Sequence, residues 1–296
     1  MRTAFIAIVG RPNVGKSRLL NAILGEKIAI VSPKPQTTRN RISGILTKGQ
    51  DQYVFMDTPG LHKPKTHLGQ YMTKAISTTI AEVDAALLVV EANGRVGPAE
   101  REILMQLEQA GLPCILVVNK IDHYNGREVG DTILAYKDLY DFAAVVPVSA
   151  LREKQIDALI DECEQFMHEG SWFYEEDDIT DQPERQIASE MIREKILRTC
   201  DQEIPHGTAV IIEDFIDEGS LLTIRATIYC ERDSHKTIII GKGGEQLKKI
   251  GSYAREDMER FFDTKVYLDL WVKVKEHWRD NLGALNQMGY NKHDLG

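Results

Sequence analysis

The chain is 296 residues long, 43% hydrophobic and 27% charged, which is ordinary globular usage and enough length for two domains. No apolar run approaches the roughly 18 residues of a membrane span, and the start runs from Met1 to Val9 straight into a glycine motif, so a soluble intracellular protein is expected. A net charge of -9 excludes simple coating of nucleic acid by bulk attraction, and the four scattered cysteines, Cys114, Cys163, Cys200 and Cys230, fit no zinc or redox spacing and read as reduced structural thiols.

The first half alternates short apolar runs with longer amphipathic stretches. Residues 5–9, 41–47, 53–57, 85–90, 114–119 and 144–148 have strand length, most rich in Val, Ile and Leu as strands buried on both faces are; 17–24, 100–109 and 154–167 carry helical patterning. This predicts an α/β domain over residues 1–168 with a doubly wound, mostly parallel sheet, whose ligands sit beyond the carboxyl ends of the strands.

The first strand leads into Gly10-Arg11-Pro12-Asn13-Val14-Gly15-Lys16-Ser17 and then a helix, which is the P-loop pattern in its strand-to-helix setting. Glycines there let successive N–H groups turn inward around phosphates at the positive end of the helix. Lys16 is expected to reach the β- and γ-phosphates, and the Ser17 hydroxyl to ligate Mg²⁺. Thr37 and Thr38, in the loop that follows, are the candidates for closing over the γ-phosphate and metal, with Thr38 preferred.

Asp57-Thr58-Pro59-Gly60 ends the strand at 53–57, placing Asp57 to hold the magnesium and the Gly60 N–H to meet the γ-phosphate. Lys16, Thr38, Asp57 and Gly60 form the expected catalytic set, with Ser17, Thr38 and Asp57 the metal ligands. Leu61 stands where Ras-like GTPases place a water-orienting glutamine, and a leucine cannot orient water by hydrogen bonding. Two readings follow: slow hydrolysis resting on other groups, or a nucleotide-gated RNA-binding adaptor with negligible catalysis.

Asn119-Lys120-Ile121-Asp122 closes the strand at 114–119 and selects the base. A carboxylate at Asp122 accepts from both N1–H and the N2 amine of guanine; adenine offers neither, and such a site rejects the mismatched analogue by ~10⁴-fold. GTP and GDP, not ATP, are the expected ligands. Asn119 is expected to tie this loop to the P-loop, the stem of Lys120 to cover the base, and Ser149-Ala150 to bring a backbone N–H to guanine O6.

Between 169 and 183 the periodic pattern stops and carboxylates gather around Pro183, which reads as a solvated acidic linker. Beyond it, residues 184–279 carry a helix, two strands, a helix pair broken by glycines and a last strand. The run Ile238-Ile239-Ile240-Gly241-Lys242-Gly243-Gly244, followed by helices expected at 245–250 and 254–262, has the KH arrangement. There a G-x-x-G loop clamps about four unpaired nucleotides, and the α-β-β-α-α-β order matches an α+β type II KH fold. From 236 to 279 ten basic residues face seven acidic ones, a local excess suited to phosphate contact. Ile240, Gly241, Lys242, Gly243, Gly244, Lys248 and Lys249 are the expected RNA-binding residues. Ile239 and Ile240 are candidates for an apolar groove and equally for the core. Trp271, Trp278 and Tyr290 are read chiefly as anchors. The tail, 280–296, is expected to form a short helix docked on the KH domain through Leu282, Leu285 and Met288.

With Gln36-Thr37-Thr38-Arg39, Asp57-Thr58-Pro59-Gly60-Leu61-His62-Lys63 and Val272-Lys273-Val274-Lys275 beside the P-loop and the base motif, nearly the whole chain resembles the TrmE-Era-EngA type of translation-factor GTPase, and within it the Era family. The resemblance implies a cytoplasmic, monomeric GTPase that binds the 3′ region of small-subunit (16S) ribosomal RNA and assists assembly of that subunit. It leaves open whether a membrane surface is visited. It also implies a second cation, because relatives with asparagine at the position of Asn13 use it to help hold potassium beside the phosphates. Arg18 departs from the threonine usual in the family.

Overall fold

A computed structural model describes the chain except for residues 35, 36, 62, 63, 65, 201–203 and 291–296. The first domain contains β1 (Arg2–Val9), α1 (Lys16–Leu24), β2 (Ile42–Lys48), β3 (Asp51–Asp57), α2 (His67–Ala81), β4 (Ala85–Glu91), α3 (Pro98–Gln109), β5 (Cys114–Asn119), α4 (Gly126–Tyr136), β6 (Ala144–Pro147), α5 (Ile156–Cys163) and the short β7 (His168–Glu169). The sheet order is β2-β3-β1-β4-β5-β6, with β7 added antiparallel at the start of β1. Only β2 otherwise departs from the parallel direction.

β1 is the switch point of this sheet. Its next parallel neighbours, β3 and β4, lie on opposite sides of it, so the loop leaving β1 opens into the crevice where ligands bind in such sheets. The apolar runs are continuous because both faces are covered: Ile6, Ile8 and Leu87 pack with α1 and α5, while Ala7, Val9, Leu88 and Val90 pack with α2 and α3. The helix expected over 154–167 stops at Cys163 and tightens into a 3₁₀ turn, Glu164–Phe166.

The acidic segment after β7 is not a free tether. Its carboxylates are exposed, but its backbone lies along the β2–β3 edge. The buried Gln52 side chain accepts from Phe173 N and Tyr174 N (3.0 and 3.1 Å) and donates to Tyr174 O. Ile45 N donates to Ile179 O, and Thr180 Oγ1 to Ser43 O.

The second domain contains α6 (Glu184–Thr199), β8 (Ala209–Asp217), β9 (Leu221–Cys230), α7 (Asp233–Ile240), α8 (Glu245–Phe261) and β10 (Lys265–Val274), followed by the short α9 (Leu282–Gln287). β9 is central, antiparallel to β8 and parallel to β10. The two helices expected at 245–250 and 254–262 are one: α8 runs unbroken through Gly251, with Ile250, Ala254 and Met258 in the domain core.

The tail departs from expectation too. Leu285 and Met288 are buried, but Leu282 is exposed, and their cluster joins Trp278, Tyr290 and Ala209 to Leu68, Tyr71, Met72 and Ala75 of α2. The tail therefore bridges the two domains instead of resting on the second alone. Trp278 and Tyr290 are anchors in this cluster, stacked at 6.0 Å. Trp271 is not; it is 62% exposed on β10. Among the described residues, no helix is long and apolar enough to cross a membrane, and the four cysteines are buried free thiols.

Candidate functional site

At the carboxyl ends of β1, β3, β4 and β5 lies a cavity of about 770 Å³, lined by Asn13, Lys16, Ser17, Thr38, Gly60, Asn119, Lys120, Asp122 and Ala150 among others. Its size is that of a small-molecule site. The loop from β1 to α1 depends on glycine where the chain must turn. Gly15 has φ +102°, and a Cβ there would fall 2.4 Å from Asn119 Nδ2. Gly60 approaches the same loop so closely that a Cβ would lie 2.6 Å from Pro12 N. Asn13 adopts φ 66°.

Lys16 crosses this loop, donating to Gly10 O at 3.0 Å and Arg11 O at 3.1 Å. Burial pulls its pKa down to about 8, opposed only in part by Asp57. Burial likewise pushes the Asp57 carboxyl up to about 6, against Lys16 and the hydrogen bonds from Ser17 and Thr38. Two opposite charges in a low-dielectric site thus wait on further partners.

Three oxygens meet beside them. Ser17 Oγ donates to Asp57 Oδ2 at 2.6 Å and lies 2.7 Å from Thr38 Oγ1, which is itself 3.3 Å from Asp57 Oδ2. Among the described residues Asp57 Oδ1 is buried without a hydrogen-bond partner. Thr37 also lines the cavity, but its hydroxyl donates to Lys34 O instead of joining these oxygens. Thr58 also serves the scaffold, with Oγ1 donating to Ile8 O at 2.8 Å. Leu61 buries its side chain in the core on the α2 face and donates its N–H to Gly10 O, so it does not face the cavity. Gln36, His62 and Lys63 lie outside the described residues.

At the other end, Asn119 is a hub: Nδ2 donates to Val14 O at 2.9 Å, and Oδ1 accepts from Lys120 N and Ala150 N. The Ala150 N–H, expected at the base, is engaged here by Asn119. Ile121 N donates to Val148 O. Asp122 Oδ1 accepts from Ser149 Oγ at 2.5 Å. Burial works against its charge, but the Ser149 and backbone hydrogen bonds prevail and hold its pKa below the usual carboxylate range.

Sequence reasoning missed Glu91. Its carboxylate accepts from Tyr124 Oη at 2.7 Å, pairs with Lys120 Nζ at 3.4 Å and with Arg11 Nη2 at 3.4 Å, joining the base loop to the P-loop. The available signal was its place at the carboxyl end of a parallel strand. Arg198, from α6 of the second domain, also reaches the cavity wall.

A second cavity, of about 590 Å³, lies at the G-x-x-G turn between α7 and α8. Gly241, Gly243 and Gly244 all have positive φ, so the turn needs residues without a Cβ. Lys242 and Lys249 line it; Lys248 is exposed outside it. Ile238 lines it too, whereas Ile239 is in the domain core and Ile240 packs against that core.

A family model described as a 50S ribosome-binding GTPase matches residues 5–120, and one described as a KH domain matches 203–279. GTPase Era of Ruminiclostridium cellulolyticum is 50% identical over 98% of this chain and 97% of its own length. GTPase Era of Clostridium kluyveri is 50% identical over 98% and 99%. A variant of Aquifex aeolicus Era solved with GDP and AlF4⁻ superposes with a TM-score of 0.93, at 36% identity over 98% of this chain and 99% of that one. Era solved with MgGDPNP and nucleotides 1506–1542 of 16S ribosomal RNA gives 0.92, with the same identity and coverage. A cavity at the head of a doubly wound P-loop sheet, a KH domain behind it and 50% identity to named members over nearly the full length together place this chain in the Era family of GTPases.

Proposed function

We propose that the chain binds GTP with Mg²⁺ in the first cavity, hydrolyses it slowly, and uses the KH cavity to hold the 3′ region of small-subunit ribosomal RNA while that subunit is assembled. The observation that carries this is one cavity with a buried amine and three converging oxygens at one end and a buffered carboxylate at the other. The chemistry of the two ends suits a triphosphate tail and a purine, and the volume is that of a small-molecule site.

Ser17 Oγ, Thr38 Oγ1 and Asp57 are hard oxygen donors, and the unpaired buried Oδ1 of Asp57 fits a cationic neighbour, so these groups suit magnesium. The ion, when bound, supplies positive charge against the β- and γ-phosphates. Lys16 neutralises the phosphate tail, and anionic phosphate restores the charge that burial opposes. Asn119 fixes the base loop to the P-loop, and Asp122 accepts from the base. With Leu61 turned into the core, no side chain at that position orients water, and turnover rests on Lys16, Thr38, Asp57 and the Gly60 backbone. Asn13 lines the cavity beside Lys16, the place from which potassium would be held; equal turnover in sodium and potassium at matched ionic strength removes that part. With ribosomal RNA as target the proposed place of action is the cytoplasm, and the chain is proposed to work as a monomer.

Lys242, Lys249 and the glycine turn would clamp the RNA backbone, with Ile238 against a base. The relative solved with MgGDPNP and 16S ribosomal RNA supports this partner. Fluorescence anisotropy with a labelled 3′-terminal small-subunit RNA fragment tests it. We expect binding ~10-fold tighter with GDPNP than with GDP. An unrelated RNA of the same length bound equally well in both states contradicts the reading.

A further inference from the structure

The segment that carries Thr38 is held from the far side. Val31 N donates to Glu194 Oε1 at 3.0 Å, and Arg198 Nε and Nη2 donate to Val31 O at 3.1 and 3.0 Å. Arg193, also on α6, donates to Thr37 O. Arg39, the next residue after Thr38, is 1% exposed. Its Nη1 donates to Thr208 O at 2.7 Å and Tyr290 Oη at 3.1 Å, and its Nη2 to His206 O at 2.9 Å. The guanidinium lies 5.7 Å from the Trp278 ring centroid and 6.0 Å from that of Tyr290. Every one of these partners belongs to the second domain or its tail.

Residues 37–39 form no helix or strand. Within the nucleotide domain Thr37 Oγ1 donates to Lys34 O and Thr38 Oγ1 meets Ser17 and Asp57, while the grips on the Thr37 carbonyl and on the Arg39 side chain come from outside that domain and bear on how the Thr38 hydroxyl is placed. Among the described residues Arg39 has no carboxylate partner, and its Nε is buried without a hydrogen bond. Burying a guanidinium on two carbonyls, a tyrosine hydroxyl and ring faces, with the charge of Glu190 acting only from a distance, is costly, and burial pulls its pKa down; a plain interface anchor of the same size would be met more cheaply by an apolar side chain. The planar fork, by contrast, fixes orientation.

We infer that Arg39 is a positioning residue for hydrolysis: it carries the seating of the second domain to Thr38, so that the KH domain and tail set the geometry of the γ-phosphate and metal site. Reciprocity requires the converse, that engagement of Thr38 by the triphosphate tightens the domain interface. The inference rests on the reading of Thr38 given above.

The test uses the full chain and its Arg39→Ala, Arg39→Lys and Tyr290→Phe variants. Lys27→Gln loosens the same interface at a site remote from Thr38, since Lys27 pairs with Glu194 and Asp257. Thr38→Ala checks the underlying reading. Turnover gives kcat and KM; calorimetry gives the affinities for Mg·GDPNP and Mg·GDP. Both Arg39 variants are expected to lower kcat and GDPNP affinity about 10-fold or more while GDP affinity stays within about 2-fold, the signature of displaced chemistry rather than lost fold. Tyr290→Phe should move both in the same direction by roughly 2- to 5-fold, the worth of one hydrogen bond. Lys27→Gln should lower the GDPNP-to-GDP ratio in the same direction but by less than either Arg39 variant, and a drop as large as theirs would make Arg39 an interface contact like any other. Equal losses for GDPNP and GDP, or wild-type kcat in Arg39→Lys, would reduce Arg39 to an interface anchor and overturn the inference. An effect at Thr38 with none at Arg39 overturns it alone; no effect at Thr38 overturns the reading beneath it. If Arg39→Ala does not fold, Arg39→Lys and Tyr290→Phe decide the matter.

Discussion

Lys16 shows how a binding residue opposes folding. Its pKa falls from 10.5 to about 8 because burial disfavours the charge. A lysine whose folded pKa is depressed weakens the fold fully below that pKa, and the penalty fades as pH rises from about 8 towards the unfolded value. Lys16→Met should therefore stabilise the nucleotide-free protein by about 1–3 kcal/mol at pH 7, less as pH passes 8, while abolishing GTP binding. Denaturant unfolding across that pH range reads the first effect and calorimetry the second; a destabilised variant at pH 7 would contradict it. Asp122 gives a different kind of prediction. Asp122→Asn places a donor where guanine also donates, so GTP affinity should fall by ~10²- to 10⁴-fold. Xanthine, with a carbonyl at C2, becomes the better base, and competition between GTP and XTP measures the exchange. These roles were legible because each lies in a motif of fixed spacing. Glu91 was not: a lone glutamate at a strand end carries no spacing, and only the fold brings Arg11, Lys120 and Tyr124 to it.

Among elements, the strands of the first domain follow directly from their apolar runs, because a sheet covered on both faces demands continuous hydrophobicity. The errors have local causes. Gly251 resembles a breaker, yet α8 continues through it because Ile250, Ala254 and Met258 on one face are buried in the domain core. The Ile238–Ile240 run is helical, so neighbours point about 100° apart: Ile239 enters the core and Ile238 the groove, a division that only the helix phase decides. The acidic strap reads as solvated from its carboxylates, while its attachment runs through backbone groups that composition does not reveal. At the G-x-x-G turn, Lys242→Glu and Lys249→Glu should each weaken RNA binding by roughly 10-fold and lower the salt slope by about one. GTP affinity should be unchanged. Weakened nucleotide binding in either variant would show that the two sites are not separable in this way.

Across the whole molecule, the domain interface was the least legible part. Arg193, Glu194 and Lys195 are three consecutive charges on α6, a run usual on a solvated helix face, but all are buried, because α6 is packed between the second-domain core and Lys27, Val31 and Thr37. Lys27 and Lys195 both pair with Glu194 and Asp257 there, across up to 230 positions of sequence. Burial opposes the charge of Glu194, but its two lysine partners and Val31 N hold its pKa below the ordinary value, so the cluster stays ionised. No periodicity announces such contacts; they exist because the tail cluster and α6 together close on α2 and on the loop that carries Thr38. The central claim, a guanine-specific hydrolase, is tested most directly by multiple-turnover phosphate release from GTP and ATP in parallel, with magnesium and the full chain. The account predicts slow release from GTP and none above background from ATP; equal release from both, or none from GTP, would contradict it.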